Sequence, residues 1–163
     1  MNPRPGLCLA LALLAGLGSG CSSFDRHWDA TACSPTASRW EGRWTSEKHR
    51  TSKGDPVGGR LLAVIEPAGN QALTSHFHAN WMIFSNDYRL TLEPTAPETR
   101  GTGALKYRGT HELTKLFGGI YRYDADLSGD RFAARYTSTY DHGTFALQRV
   151  KMSKDCFSPH AGH

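Results

Sequence analysis

The chain has 163 residues, with 19 Lys and Arg against 15 Asp and Glu, for a formal net charge of +4. The charges are interspersed, with no run of five or six of one sign; this argues against nucleic-acid binding and leaves room for weak attraction to anionic lipid or polysaccharide. Removing a leader that contains Arg4 leaves 18 basic minus 15 acidic side chains, or +3, on about 140 residues, enough for one domain with one core.

The chain opens MNPRPGLCLALALLAGLGSGCSS, which reads as a targeting segment. It has a short basic start at Arg4, an apolar run from Leu7 to Leu17, and small residues before Cys21. The run is too short to span a bilayer, which takes roughly 20 apolar residues. Leu17-Gly18-Ser19-Gly20-Cys21 resembles a bacterial lipobox, with the leucine one place further from the cysteine than usual. The resemblance implies a signal peptide over residues 1–20 and a lipidated mature N-terminus at Cys21. Acyl chains contribute about 0.8 kcal/mol per buried methylene, so several would anchor the protein to a membrane of the bacterial cell envelope. Ser22 and Ser23 resemble the residues of lipoproteins sent on to the outer membrane, facing the periplasm. Ordinary secretion with cleavage nearby is the competing reading. No later segment is apolar enough for a transmembrane helix.

Of four cysteines, Cys8 lies in the leader and Cys21 takes lipid. Cys33 and Cys156 remain, one before the core and one after it, in an oxidising compartment, and are expected to form a disulfide. Closing so long a loop is worth roughly 4–5 kcal/mol on the loop-entropy model. Residues 21–38 read as a lipidated tether with turn residues, 39–156 as the folded domain and 157–163 as a tail.

No stretch of the core carries a helical period; strand-like runs alternate with turns. Strands are expected at 39–48, 59–66, 71–79, 81–92, 102–113, 119–127, 131–139 and 143–150. KGDPVGG, PAGN, PTAPETRG, FGG, SGD and DHG punctuate them, and residues 111–116 are the one place for a helical turn. Eight strands with mostly short connections favour an all-β, up-and-down antiparallel barrel, whose closure removes exposed edges. A two-sheet sandwich is the main competitor.

Alternation assigns the faces. Trp40, Gly42 and Trp44 share one face of the first strand. Met82, Phe84, Tyr88, Leu90 and Leu92 share another, followed by Tyr121, Tyr123, Ala125 and Leu127, then Phe132, Ala134, Tyr136, Ser138 and Tyr140. In the last strand Arg149 is in phase with Phe145 and Leu147. A buried unpaired charge costs several kcal/mol, so Arg149 requires a partner. In a barrel of this order the first strand borders the last, which places the arginine against Trp44 or Trp40.

Gly42-Arg43-Trp44 with Arg149 resembles the closed end of lipocalin-type (calycin) barrels, where a tryptophan plugs the barrel and an arginine stacks across it. The Thr-Asp-Tyr motif between the sixth and seventh strands and the helix after the last strand, both usual in that family, are absent, and the chain is shorter than most of its members. The resemblance implies a small amphipathic or apolar ligand held at the mouth opposite a Trp44–Arg149 plug. Tyr88, Tyr121, Tyr123 and Tyr136 are the candidate lining residues, an apolar wall with a few polar groups. Many inward rings also fit a core filled by its own side chains.

Other chemistry is sparse. His76 and His78 project to one face of a strand at a workable metal-ligand spacing, with His49, His111 or His142 as a possible third ligand. Their in-phase neighbour Thr74 marks the outer face, and a solvated strand face is the preferred reading. No catalytic motif, cofactor site or nucleic-acid motif is present. The alternative to ligand binding is an envelope inhibitor or scaffold that contacts a protein through loops such as KHRTSKGDP or EPTAPETRG.

Overall fold

The computed structural model describes residues 22–82, 84–95, 103–113, 119–153 and 156. The signal segment, Cys21, the Phe84 side chain, the later half of the 111–116 turn and the 157–163 tail lie outside the described residues.

Eight antiparallel strands close into an up-and-down barrel in chain order: β1 (Ser38–Arg50), β2 (Pro56–Pro67), β3 (Leu73–Trp81), β4 (Phe84–Pro94), β5 (Leu105–Glu112), β6 (Ile120–Ser128), β7 (Arg131–Thr137) and β8 (His142–Arg149). This all-β barrel is compatible with a lipocalin-like fold, and its closure removes the sandwich alternative. β1 pairs with both β2 and β8. The thinnest join is between β4 and β5, which pair only at Glu93–Arg108 and Pro94–Tyr107.

Register fixes the layers. Arg149 faces Trp40, Leu147 faces Gly42 and Phe145 faces Trp44 across β8 and β1. The chain termini of the barrel, the β2–β3 turn and the β6–β7 turn therefore share one end, the floor of the barrel. Inward residues alternate with outward ones as the period-two pattern requires, most cleanly in β6 and β7. Two residues assigned inward leave that face: Met82 sits in the β3–β4 turn, 84% exposed, and Tyr140 sits exposed in the β7–β8 turn. Turn geometry overrides strand phase at both.

The segment expected to be an irregular tether contains an eight-residue helix, α1 (Ser23–Ala30). Ser22 accepts from the Asp25 amide and Asp25 accepts from the Ser22 amide, a capping box. Phe24 is buried, and Phe24 with Trp28 packs on Val64 and Leu62 of the outer face of β2. That contact explains why Leu61 to Ile65 is apolar without alternation: both faces of this strand are covered. The Cys33–Cys156 disulfide is formed, joining the segment after α1 to the chain after β8.

Candidate functional site

At the floor, Trp40 is completely buried. Its Nε1 donates to Ser38 Oγ at 2.8 Å, and Ser38 Oγ donates to the Ile65 carbonyl at 3.2 Å. The Arg149 guanidinium lies 4.9 Å from the Trp40 ring centroid, with Asp130 Oδ1 3.4 Å from its Nε. The arginine therefore meets Trp40 and not Trp44. Trp44 points inward as well, but nearer the other end, and its Nε1 donates to the Asn80 carbonyl at 3.1 Å. Gly42 has a backbone reason: a Cβ there would collide with the Ala146 carbonyl, so β1 and β8 approach closely only without a side chain.

Above the floor the rings stack through the interior. Phe132 lies 6.3 Å from Trp40 and 6.2 Å from Phe77; Phe77 lies 5.3 Å from Tyr88 and 5.7 Å from Phe145. Tyr123 and Tyr136 pack on Phe145, and Tyr121 packs on Tyr136. The four candidate lining tyrosines are thus brought together by packing on one another and on phenylalanines. Their hydroxyls are satisfied internally. Tyr88 and Tyr123 hydrogen-bond each other, Tyr121 bonds Ser138, and Tyr136 donates to Asp141 Oδ2 at 3.0 Å. Burial pushes all four phenols above their ordinary value, and the Asp141 carboxylate raises Tyr136 further. Asp141 also accepts from Ser46 Oγ at 2.7 Å and from the His142 amide, duties that hold the β7–β8 turn.

A partly open concavity lies at the floor instead. A cleft of about 460 Å³ is walled by Thr31, Ala32 and residues 34–39 on one side and by Val150, Lys151 and Met152 on the other. Ile65, Leu73, Leu105, Tyr107 and Leu127 line it, with Trp40 behind them and Arg149 and Lys151 on its rim. The disulfide ties the two walls together at Cys33 and Cys156. Sequence phase could identify the apolar lining, but not which end of the barrel leaves space beside it. A second, more open groove follows the β4–β5 seam and is lined by Thr91, Glu93, Arg108, Arg122 and Tyr123 among others, with Arg108 paired to Asp124 at 2.8 Å.

No protein-family model matches this chain, and neither does any curated protein or solved structure.

The histidines do not converge as ligands. His76 and His78 do face outward, but they are not solvated: His76 is 2% exposed, and α1 covers the face. His76 Nδ1 contacts His27 Nδ1, whereas His78 Nδ1 contacts Asp87. His49 lies beside Asp141, His111 beside Tyr88, and His142 at the start of β8. Among the described residues, no group of three or more His, Cys, Asp or Glu side chains is placed to hold a metal ion. The signal for α1 lay in Ser22-x-x-Asp25 and in Phe24, His27 and Trp28 at helical spacing.

Proposed function

We propose that this protein is an envelope lipoprotein, held to a bacterial membrane through lipid on Cys21, that binds a small amphipathic molecule in its barrel. The carrying observation is the floor cleft: an apolar lining of Leu73, Leu105, Tyr107 and Leu127 beneath the cations Arg149 and Lys151. An acyl or ring system fits the first and an anionic head group the second. The site thus moves from the mouth opposite the Trp–Arg pair, which rings occupy, to the end where that pair sits. The amphiphile reading also agrees with a lipobox-like leader, since acyl-bearing molecules abound at the surface where such a protein would be tethered.

Laurate titration followed by tryptophan fluorescence tests it. Wild type should bind, and Arg149→Gln combined with Lys151→Glu should weaken binding about tenfold, the size of one or two lost charge-assisted contacts. Wild type failing to bind either laurate or dodecyl phosphate would defeat the reading. Separately, Cys21→Ala should move the protein from membrane to soluble fractions; unchanged partition would remove the anchor.

The ring-filled interior favours a second reading, an interaction module whose barrel only supports its loops. It predicts that the tethered domain retains a specific protein from an envelope extract, and that substitutions over residues 48–56 abolish retention while laurate binding persists.

A further inference from the structure

Helix α1 is held to the barrel wall through an imidazole pair. His27 Nδ1 on α1 lies 3.1 Å from His76 Nδ1 on β3, and the rings are stacked with centroids 5.4 Å apart. A contact of that length between two ring nitrogens requires one N–H and one lone pair. If both rings are imidazolium, with protons on all four nitrogens, the contact has two donors, no acceptor and two like charges. Nothing nearby offers His76 much hydration: it is 2% exposed, with the Phe24 ring edge-on at 5.1 Å.

The charged groups around the pair come from every packed element. On α1 it is His27 itself, whose Nε2 lies 3.3 Å from Glu66 Oε1 of β2. On β3 it is His78, bound to Asp87 of β4; also on β4, Arg89 stands opposite His76 in register. Glu66 is therefore engaged by the other side of the His27 ring and Asp87 by His78, while Arg89 adds a fixed positive charge beside His76. The carboxylates are taken and the cation is not removable.

We infer that α1 is an acid-released latch: charging the His27–His76 pair sets two N–H donors and two like charges face to face and frees the helix from the outer wall of β2 and β3. Burial, then Arg89, holds the His76 pKa below the ordinary histidine value, while Asp87 opposes them. Proton binding and docking therefore oppose each other. A base whose pKa falls on docking keeps the docked state fully stable above the undocked value, near 6.5, and loses that stability as pH drops from there toward the lowered value. Whatever factor docking removes from the proton affinity of His76, full protonation removes from docking.

The consequence for reach rests on the lipidated-Cys21 reading, whereas the latch does not. Docked, α1 begins two residues after Cys21 and lies flat on the barrel. Released, residues 22–32 become an extendable leash of about 35–40 Å before the disulfide at Cys33, at roughly 3.3–3.6 Å per residue. Acid would let the barrel stand away from the membrane that holds it.

Amide hydrogen exchange on the purified mature chain, disulfide intact, tests the latch without reference to lipid or laurate. Corrected for intrinsic rates, protection over residues 26–31 should fall severalfold from about pH 7.5 to about pH 5, with β2 and β3 unchanged. His76→Gln, which keeps a hydrogen-bonding side chain but does not titrate, should hold that protection flat. Phe24→Ala supplies the undocked benchmark. Wild-type protection independent of pH, or an acid loss that persists in His76→Gln, overturns the inference. Should His76→Gln already be undocked at neutral pH, the ring nitrogen resonances of wild-type His76 decide instead. Titration below the ordinary value upholds the latch, and titration at or above it overturns it.

Discussion

Arg149 and Trp40 face each other in register across β8 and β1, with the guanidinium 4.9 Å from the indole centroid. The two sides of this contact carry unequal weight. Trp40 is wholly buried, whereas the Arg149 side chain is 44% exposed and shares its charge with Asp130. Trp40→Ala should leave a cavity costing about 3–5 kcal/mol. Arg149→Gln removes an exposed cation–π contact worth about 0.5–1 kcal/mol and a solvent-screened ion pair worth little more. Urea unfolding of the two variants measures both. Equal losses would show that the cation closes the floor as much as the indole does.

The same seam predicts a sharp contrast between two glycines. A Cβ on Gly42 would meet backbone of β8, including Leu147 Cα at 2.9 Å, and backbone cannot turn aside as a side-chain tip can. Gly69, in the 3₁₀ turn between β2 and β3, has nothing within 4 Å of its Cβ position. Gly42→Ala should therefore destabilise by about 1–3 kcal/mol or more, as an overpacked site does. Gly69→Ala should be neutral, or stabilise by up to about 1 kcal/mol through the unfolded chain. Thermal melts that rank them the other way would contradict the β1–β8 spacing.

The barrel was legible because period-two alternation runs through Tyr121 to Leu127 and Phe132 to Tyr136, and short turns between such strands leave little choice of order. The disulfide was legible from the positions of Cys33 and Cys156 on either side of the core, together with the oxidising compartment that the leader implies. What alternation cannot supply is register: Trp40 and Trp44 share a phase, and only the stagger of β1 against β8 decides which one Arg149 meets. Alternation also treats every outer face as wet. The unbroken Leu61 to Ile65 run signalled otherwise, but α1 is eight residues long, too short for its period to stand out, and it holds its shape by packing on Val64. The solvated reading of His76 failed for that reason. The floor cleft depends on where residues 31–39 and 150–152 run, which no local pattern encodes.

Alkaline pH should find the tyrosine layer. Tyr88, Tyr121, Tyr123 and Tyr136 have phenols raised above 10, first by burial in each case. An acid whose pKa rises on folding gives the folded state more bound protons. Its stabilising contribution is complete below the unfolded value near 10 and is lost as pH climbs above it. Difference absorbance should show these four ionising only together with loss of tertiary structure. Their smooth titration near pH 10 in a still-folded barrel would mean that the interior admits water.

One buried hydroxyl has no role in any network. Ser75 points inward between Leu73 and Phe77, is 0% exposed, and its Oγ makes no hydrogen bond to the described residues. Its cross-strand neighbours are Ile65 and Leu90, both apolar. An unsatisfied buried hydroxyl costs about 1–3 kcal/mol, and alanine removes it with loss of a single small atom. Ser75→Ala is accordingly expected to leave stability unchanged or raise it by about 1 kcal/mol, reversing the usual sign of a core truncation. Urea midpoints measured with and without laurate separate two outcomes. A gain in both conditions marks Ser75 as a tolerated imperfection of the core. A loss of more than about 1 kcal/mol would mean that the hydroxyl holds a partner, such as an internal water, and that the barrel interior is wetter than its stacked rings imply.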